Sequence, residues 1–366
     1  EQEAIDGVRV QAAVLPTPSF STSIQDTRSD TRQMSFQLNQ EIELGNKREV
    51  RIETANVLYK IAIAELENKK AMIHANVVHA FYTVLVAQER LKLSKSSLDV
   101  ANEALNASIK RVSAGKSSPV EETKSRIAQS SAKLELNHAT SQLNSALKRL
   151  SALWGSSLPA FKFADGDVEK IPLVSNLADL TASLESAPAI SLAKLEISAR
   201  EGMTKVERSK STPNITVSAG VVNNQELGLN QALLGLSVPI PLFDRNQGSL
   251  QEAISRQYQA QDKLTALKTQ LSTKLAEAHA RLSVAKHSVA SLREEILPGA
   301  QSAFDAANKG FSAGKFNFLD VLDAQRTLFQ VKSQYIQALL DAHMAVAEIE
   351  HVLGDVVTHS AQQAKE

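Results

Sequence analysis

QMSFQLNQEIEL, residues 33–44, alternates between side chains that water rejects and side chains that it accepts. Met34, Phe36, Leu38, Ile42 and Leu44 share one parity, while Gln33, Ser35, Gln37, Asn39, Glu41 and Glu43 take the other. A period of two predicts a strand that is greasy on one face and wet on the other. Ile215, Val217, Ala219 and Val221 repeat the pattern, as do Leu234, Leu236, Val238, Ile240 and Leu242. Phe20, Thr22 and Ile24 make a weaker case. Polar loops at 26–32 and 223–230 join these segments into two hairpins.

Between the hairpins the period changes to seven. Val77, Val84, Leu91, Leu98, Leu105 and Val112 fall on one heptad position, and Ala80, Ala87, Ser94 and Ala101 on another. Later, Leu271, Ala278, Ala285 and Leu292 run beside Leu275, Leu282, Val289 and Ile296. A sustained heptad predicts a left-handed coiled coil, and its alanine and serine positions admit a close neighbour. From Lys47 to Val112 the helix would measure roughly 100 Å at 1.5 Å per residue. Pro298 is expected to interrupt the second long helix, since proline lacks the amide and clashes one turn back.

The chain is an internal duplication. Residues 12–24 match 207–219 in pattern, IELGNKREVRIETA (42–55) lies over IPLFDRNQGSLQEA (240–253), and SAGK occurs at both 113–116 and 312–315. Each SAGK has a glycine to end one helix in the left-handed conformation. Ser118, Pro119 and Glu121 then supply an N-cap, an N1 proline and a capping-box acid, and Asn317 caps the second return helix. Leu134, Leu143, Leu147 and Leu150 carry an apolar stripe towards Trp154, and Leu322, Phe329, Ile336, Leu339, Val346, Ile349 and Leu353 do the same in the second return helix.

The first repeat is read as 1–154, with strands near 18–26 and 31–44, a helix over 47–112, a tip at 113–116 and a return helix over 119–153. Residues 155–185 form a linker or lateral segment. The second repeat, 186–354, holds a helix over 186–211, strands at 213–223 and 231–242, a helix over 247–311, the tip 312–315 and a return helix over 318–353. Residues 355–366 read as a frayed polar tail.

Composition removes several classes of function. Lys plus Arg and Asp plus Glu each number 40, so no polyanion such as nucleic acid is expected as a partner. Cysteine is absent, which removes thiol catalysis, disulfides and Cys-based metal sites. No glycine-rich phosphate loop or nucleophile–base–acid set is present, and no enzyme, cofactor or bound metal is expected. His74 and His79, His279 and His287, and His343 and His351 lack the i, i+3 or i+4 spacing that joins two imidazoles on one metal, so solvated or seam-packed histidines are expected. No run approaches the roughly 20 apolar residues of a spanning helix. The opening EQEAIDGVRVQAA reads as a helix already under way, so an upstream segment is expected and the lack of a visible leader says nothing of location.

Four half-greasy strands cannot close on themselves, because the smallest membrane barrels use about eight. Left alone, they would expose two open edges and an apolar sheet. Three chains would make a barrel of about twelve strands around an aqueous lumen, with the helical hairpins gathered beneath it. The fold class is therefore mainly α with a β-barrel portion: long coiled-coil hairpins forming an α-barrel, and four strands per chain entering a trimeric twelve-stranded membrane β-barrel.

The duplicated order of strands and hairpins, the SAGK tips followed by FLDVLDAQRTL, and ELGNKR and PLFDRNQG at the passage from strand to helix resemble the TolC-type outer membrane channels, over essentially all of 12–353. The strand-to-helix motifs look most like the CzcC-like heavy-metal branch, which exports cobalt, zinc, cadmium or nickel. The resemblance implies a homotrimer in outer membrane lipid that extends into the periplasm. It also implies docking on a periplasmic adaptor, or membrane fusion protein, and an inner-membrane pump of the resistance–nodulation–division type.

It implies site residues as well. Asp320 and Asp323, three apart and so on one helix face, match two aspartates at the periplasmic entrance of TolC. From the residues alone, the helix dipole and the capping-box position of Asp320 after Asn317 are the better explanation of acids in a first helical turn. Phe311 and Phe316 stand where the family's closed state uses a tyrosine and an arginine, and Glu121 stands where it uses an aspartate. A closed state here would then rest on apolar packing or on other pairs. The expected adaptor contacts are Val112, Ser113, Ala114, Gly115 and Lys116 on one tip and Phe311, Ser312, Ala313, Gly314 and Lys315 on the other. Within the family, a multidrug or type I secretion outlet is the competing reading. Outside it, a periplasmic coiled-coil adaptor or structural rod would explain the heptads but not the strands.

Overall fold

A computed structural model of the chain describes residues 2–354; the expected polar tail at 355–366 lies outside the described residues. The chain forms two compact units, one built from residues up to Asn68 with Pro188–Thr269, the other from Lys69–Ala187 with the residues from Gln270 onward.

The first unit holds the sheet. β1 (Ser19–Gln25), β2 (Gln33–Ile42), β3 (Ile215–Asn224) and β4 (Leu229–Ser237) pair antiparallel in the order β1-β2-β3-β4. The register places Phe20 opposite Leu38, Phe36 opposite Val221, and Ala219 opposite Leu234. One face therefore collects Phe20, Ile24, Phe36, Leu38, Val217, Val221, Leu234 and Leu236, all exposed within the single chain. The other face carries Ser21, Ser23, Ser35, Gln37, Asn39 and Ser218. There the Ser23 and Ser35 hydroxyls lie 2.6 Å apart, Asn39 Nδ2 donates to Ser21 Oγ at 3.1 Å, and Ser218 Oγ donates to Asn39 Oδ1 at 2.8 Å. The last strand is shorter than the alternation predicts: it ends at Ser237, not 242, because Pro239 and Pro241 have no amide for a ladder.

At each passage from strand to helix stands a left-handed asparagine, Asn46 (φ 58°) and Asn246 (φ 59°). Asparagine is among the few side chains that tolerate this region. Each carbonyl accepts the first helical bond, from Val50 N and from Leu250 N, at 3.0 Å in both cases. The duplication is thus visible at atomic detail. The helices of this unit are α1 (Gln2–Ala12), the start of α2 (Lys47–Ser113), α5 (Pro188–Lys210) and the start of α6 (Gln247–Ser291).

The second unit is helical. It comprises the rest of α2 and α6, α3 (Pro119–Ala152), the short α4 (Leu177–Ser183), α7 (Leu297–Ser312) and α8 (Phe318–Leu353). The α2 heptad is packed as predicted: Ala80, Val84 and Ala87 bury against Leu143, Ala146, Leu147 and Leu150 of α3. α2 does contain a window of mean hydropathy 1.2, long and apolar enough by composition to cross a membrane, which the sequence reading excluded. Four apolar positions depart from expectation, and the first of them, Val77 on the α2 heptad, is exposed. Leu134 and Trp154 are exposed and do not continue the α3 stripe. Ile296 is exposed because Leu292–Ile296 widens into a π-helix just before Pro298. An inserted π-turn accommodates the missing proline amide and turns Ile296 outward, while Leu297 and Ala300 still pack against the Leu292–Val331–Ala338 cluster.

Candidate functional site: the hairpin tips

The two SAGK tips are built by the same bonds. In the first, Lys116 N donates to Arg111 O at 2.8 Å and Gly115 N to Val112 O at 3.0 Å. In the second, Lys315 N donates to Gly310 O at 2.8 Å and Gly314 N to Phe311 O at 3.0 Å. This is the paired C-terminal closure that needs a left-handed residue, supplied by Gly115 (φ 71°) and Gly314 (φ 70°). Ser113, Ala114, Gly115 and Lys116 are exposed, as are Ser312, Ala313, Gly314 and Lys315; Val112 and Phe311 are half-buried.

Past each tip a cap starts the return helix. The Ser118 hydroxyl accepts from Val120 N at 3.3 Å. The capping bond expected of Glu121 is not made: its Oε1 is buried without a hydrogen-bond partner. On the second hairpin the Asp320 carboxylate does accept from Asn317 N, at 3.0 Å. Asp320 and Asp323 are both exposed at the start of α8. Asp323 also lines a cleft to which Lys124, Glu135 and Arg326 contribute.

Phe316 packs across Gly310, where a Cβ would sit 2.1 Å from the ring, so only glycine admits that contact. Phe311 lies 5.5 Å, centroid to centroid, from the buried Phe318. Over its other side stands the guanidinium of Arg111, 4.6 Å from the ring centre, with Arg111 Nε donating to Ser117 Oγ at 3.1 Å. An arginine from the first hairpin thus meets an aromatic ring of the second, a contact worth about 0.5–1 kcal/mol where exposed. Sequence reasoning missed Arg111 because a basic residue in a last helical turn is already explained by the helix dipole.

Further along α8, His343 is 1% exposed. Its Nε2 donates to Val168 O at 2.8 Å, and its ring stacks on Tyr82 with centroids 3.6 Å apart, while Nδ1 has no partner. It is the seam-packed kind of histidine, and it ties the 155–185 segment to α8. Burial pushes its pKa below the ordinary 6.5, against the pull of the Val168 carbonyl and Asp167. The folded chain therefore keeps His343 neutral where the unfolded chain takes up a proton. Stability is full above 6.5 and is lost as pH falls through that value towards the lower folded one. The melting temperature should drop from about pH 7 to about pH 5.5, and His343→Phe should flatten that slope in circular-dichroism melts.

Among the described residues no three His, Cys, Asp or Glu side chains gather to hold a metal.

An exposed apolar sheet face, a hydroxyl- and amide-covered opposite face and two matched helical hairpins define an outer membrane channel subunit. The chain belongs to the outer membrane efflux protein family, whose profile matches residues 9–156 and 180–355. It is 42% identical over 354 residues to the cobalt-zinc-cadmium resistance protein CzcC of Cupriavidus metallidurans, covering 97% of this chain and 85% of that protein. It is 27% identical to the nickel-cobalt-cadmium resistance protein NccC of Alcaligenes xylosoxydans xylosoxydans, over 70% of this chain and 60% of that protein. Among solved structures, the outer membrane protein VceC of Vibrio cholerae superposes with a TM-score of 0.80 at 17% identity, covering 96% of this chain and 90% of the other. The fold class read from the sequence, the family and the outer membrane location hold.

Proposed function

We propose that three copies of the chain close a twelve-stranded barrel in the outer membrane and act as a passive conduit, without catalysis, for the export of divalent heavy-metal cations. The observation that carries the channel reading is the sheet itself. Its greasy face is bare, its opposite face is lined mainly by serine, asparagine and glutamine with Val222, Leu229 and Leu233 among them, and both of its edges are open. Closure by further copies satisfies the edges, gives the greasy face to lipid and encloses the wet face around water. The metal cargo is supported by likeness to CzcC along nearly the whole chain.

In this reading the tips dock on a periplasmic adaptor that links the conduit to an inner-membrane pump of the resistance–nodulation–division type. Asp320 and Asp323 from three copies would ring the periplasmic mouth with six carboxylates and draw cations towards it. Phe311, Phe316 and Glu121 would stand beside that mouth, and the Arg111–Phe311 contact would hold the two tips of one copy together in the resting state.

Deleting the gene in its host should lower tolerance of zinc, cobalt, cadmium or nickel several-fold and leave drug tolerance intact. Loss of drug tolerance alone would favour the multidrug outlet.

A further inference from the structure

The open edges of the sheet meet in a defined way once copies join. Because each of the four strands runs against its neighbour, β1 and β4 of one chain point in opposite directions. Joined edge to edge, β4 of one copy lies antiparallel to β1 of the next, so the end of β4 falls beside the beginning of β1. The residues that leave β4, 238–243, then run alongside the residues that enter β1 on the next copy, 13–18.

Both stretches are bare in a single chain. Phe243 is 91% exposed, and Leu15 and Val14 are 65% and 48% exposed. Their backbones, by contrast, are pinned. Arg48 Nε donates to Ala13 O at 2.8 Å, Arg51 Nη2 to Val14 O at 3.4 Å, and Gln40 Nε2 to Pro16 O at 3.0 Å. On the other stretch, Arg245 Nε donates to Pro241 O at 3.4 Å and Gln247 Nε2 to Phe243 O at 3.3 Å. Ordering costs for apolar groups held out into water have been met in advance, as in a preorganised interface.

Val14 and Leu15 wall a cleft of about 720 Å³ that is floored by Ala55, Leu58 and Met203. All of its lining comes from the first unit, and it has room for a phenyl ring and its neighbours. A bare aromatic side chain on one edge is matched on the complementary edge by a cleft whose apolar walls are joined by Glu43, Arg51 and Glu207.

We propose that Phe243 of one copy seats in the Leu15 cleft of the next, making a clasp at the end of each β4–β1 seam. The proposal rests on the three-copy reading and deepens it. The clasp also has a job that the strands alone do poorly. A one-residue slip in β4–β1 pairing would turn greasy side chains into the lumen. An anchor six residues past Ser237 that fits one cleft holds the register against such a slip.

Residues 1–366 contain no cysteine, so the introduced pairs stand alone among them. In the full chain in outer membranes, Leu15→Cys/Phe243→Cys should give disulfide-linked dimers and trimers on non-reducing gels, reversed by reductant. Ser19→Cys paired in turn with Gly235→Cys, Leu236→Cys or Ser237→Cys reports the seam itself. Covalent oligomers from a seam pair with only monomer from the 15/243 pair would overturn the clasp and leave the cleft to lipid or an adaptor. Monomer from every pair would overturn the three-copy reading beneath it. Phe243→Ala should lower the temperature at which the detergent-resistant oligomer dissociates by several degrees, while Phe243→Leu preserves it; unchanged dissociation in Phe243→Ala would likewise sink the clasp.

Discussion

Single channels of the Asp320→Asn/Asp323→Asn variant are expected to lose about tenfold in cation-over-anion preference at low salt. The size follows from geometry that the chain itself provides. Both carboxylates are exposed at the start of α8, three residues apart on one face. Three copies would bring six negative charges to a narrow mouth, where low-dielectric walls concentrate the field. The effect should shrink in 1 M salt, where the screening length falls to about 3 Å. The Asp320 carboxylate also caps the helix through Asn317 N, and an asparagine amide oxygen can keep that bond. Bilayer recording of ion preference at two salt concentrations decides the matter. Unchanged preference would return both aspartates to a purely helix-starting role.

Gly220→Val is expected to abolish the heat-modifiable oligomer in outer membranes. Gly220 lies in β3 opposite Gln37, and a Cβ there would stand 2.4 Å from the backbone oxygen of Phe36. Backbone cannot swing aside as a side-chain end does, so the two strands must part and surrender ladder bonds. The cost should reach or exceed the upper end of the about 1–3 kcal/mol typical of overpacking. Gly235→Ala offers a control on the next strand, since its Cβ would meet Ser218 Cβ at 3.4 Å, an ordinary contact. Comparing heated and unheated samples on gels separates the two variants. A stable oligomer from Gly220→Val would mean that the β2–β3 pairing yields at this point.

The sheet and the hairpin tips were legible because each rests on a short-range rule. Alternation at Gln33–Leu44 reports which side chains share a face whatever else surrounds them. Left-handed glycine after a helical run marks Gly115 and Gly314 without reference to any partner. The points that escaped depend on distance across the fold. Ile296 left its heptad because a π-helix formed upstream, and hydrophobic period carries no sign of that change in pitch. Leu134 belongs to an apolar stripe by spacing, yet the single chain puts nothing over it. Glu121 has the spacing of a capping-box acid, but its carboxylate turns inward.

By itself, the order of residues determined the duplication, the four half-greasy strands and the two SAGK turns, since period and turn chemistry act over a few residues. Only the tertiary structure decided that Arg111 meets Phe311, that His343 is sealed under Val168 against Tyr82, and that Leu15 borders a cleft while Phe243 stands bare. Those facts join positions as far apart as Tyr82 and His343, and no local propensity encodes the space between them.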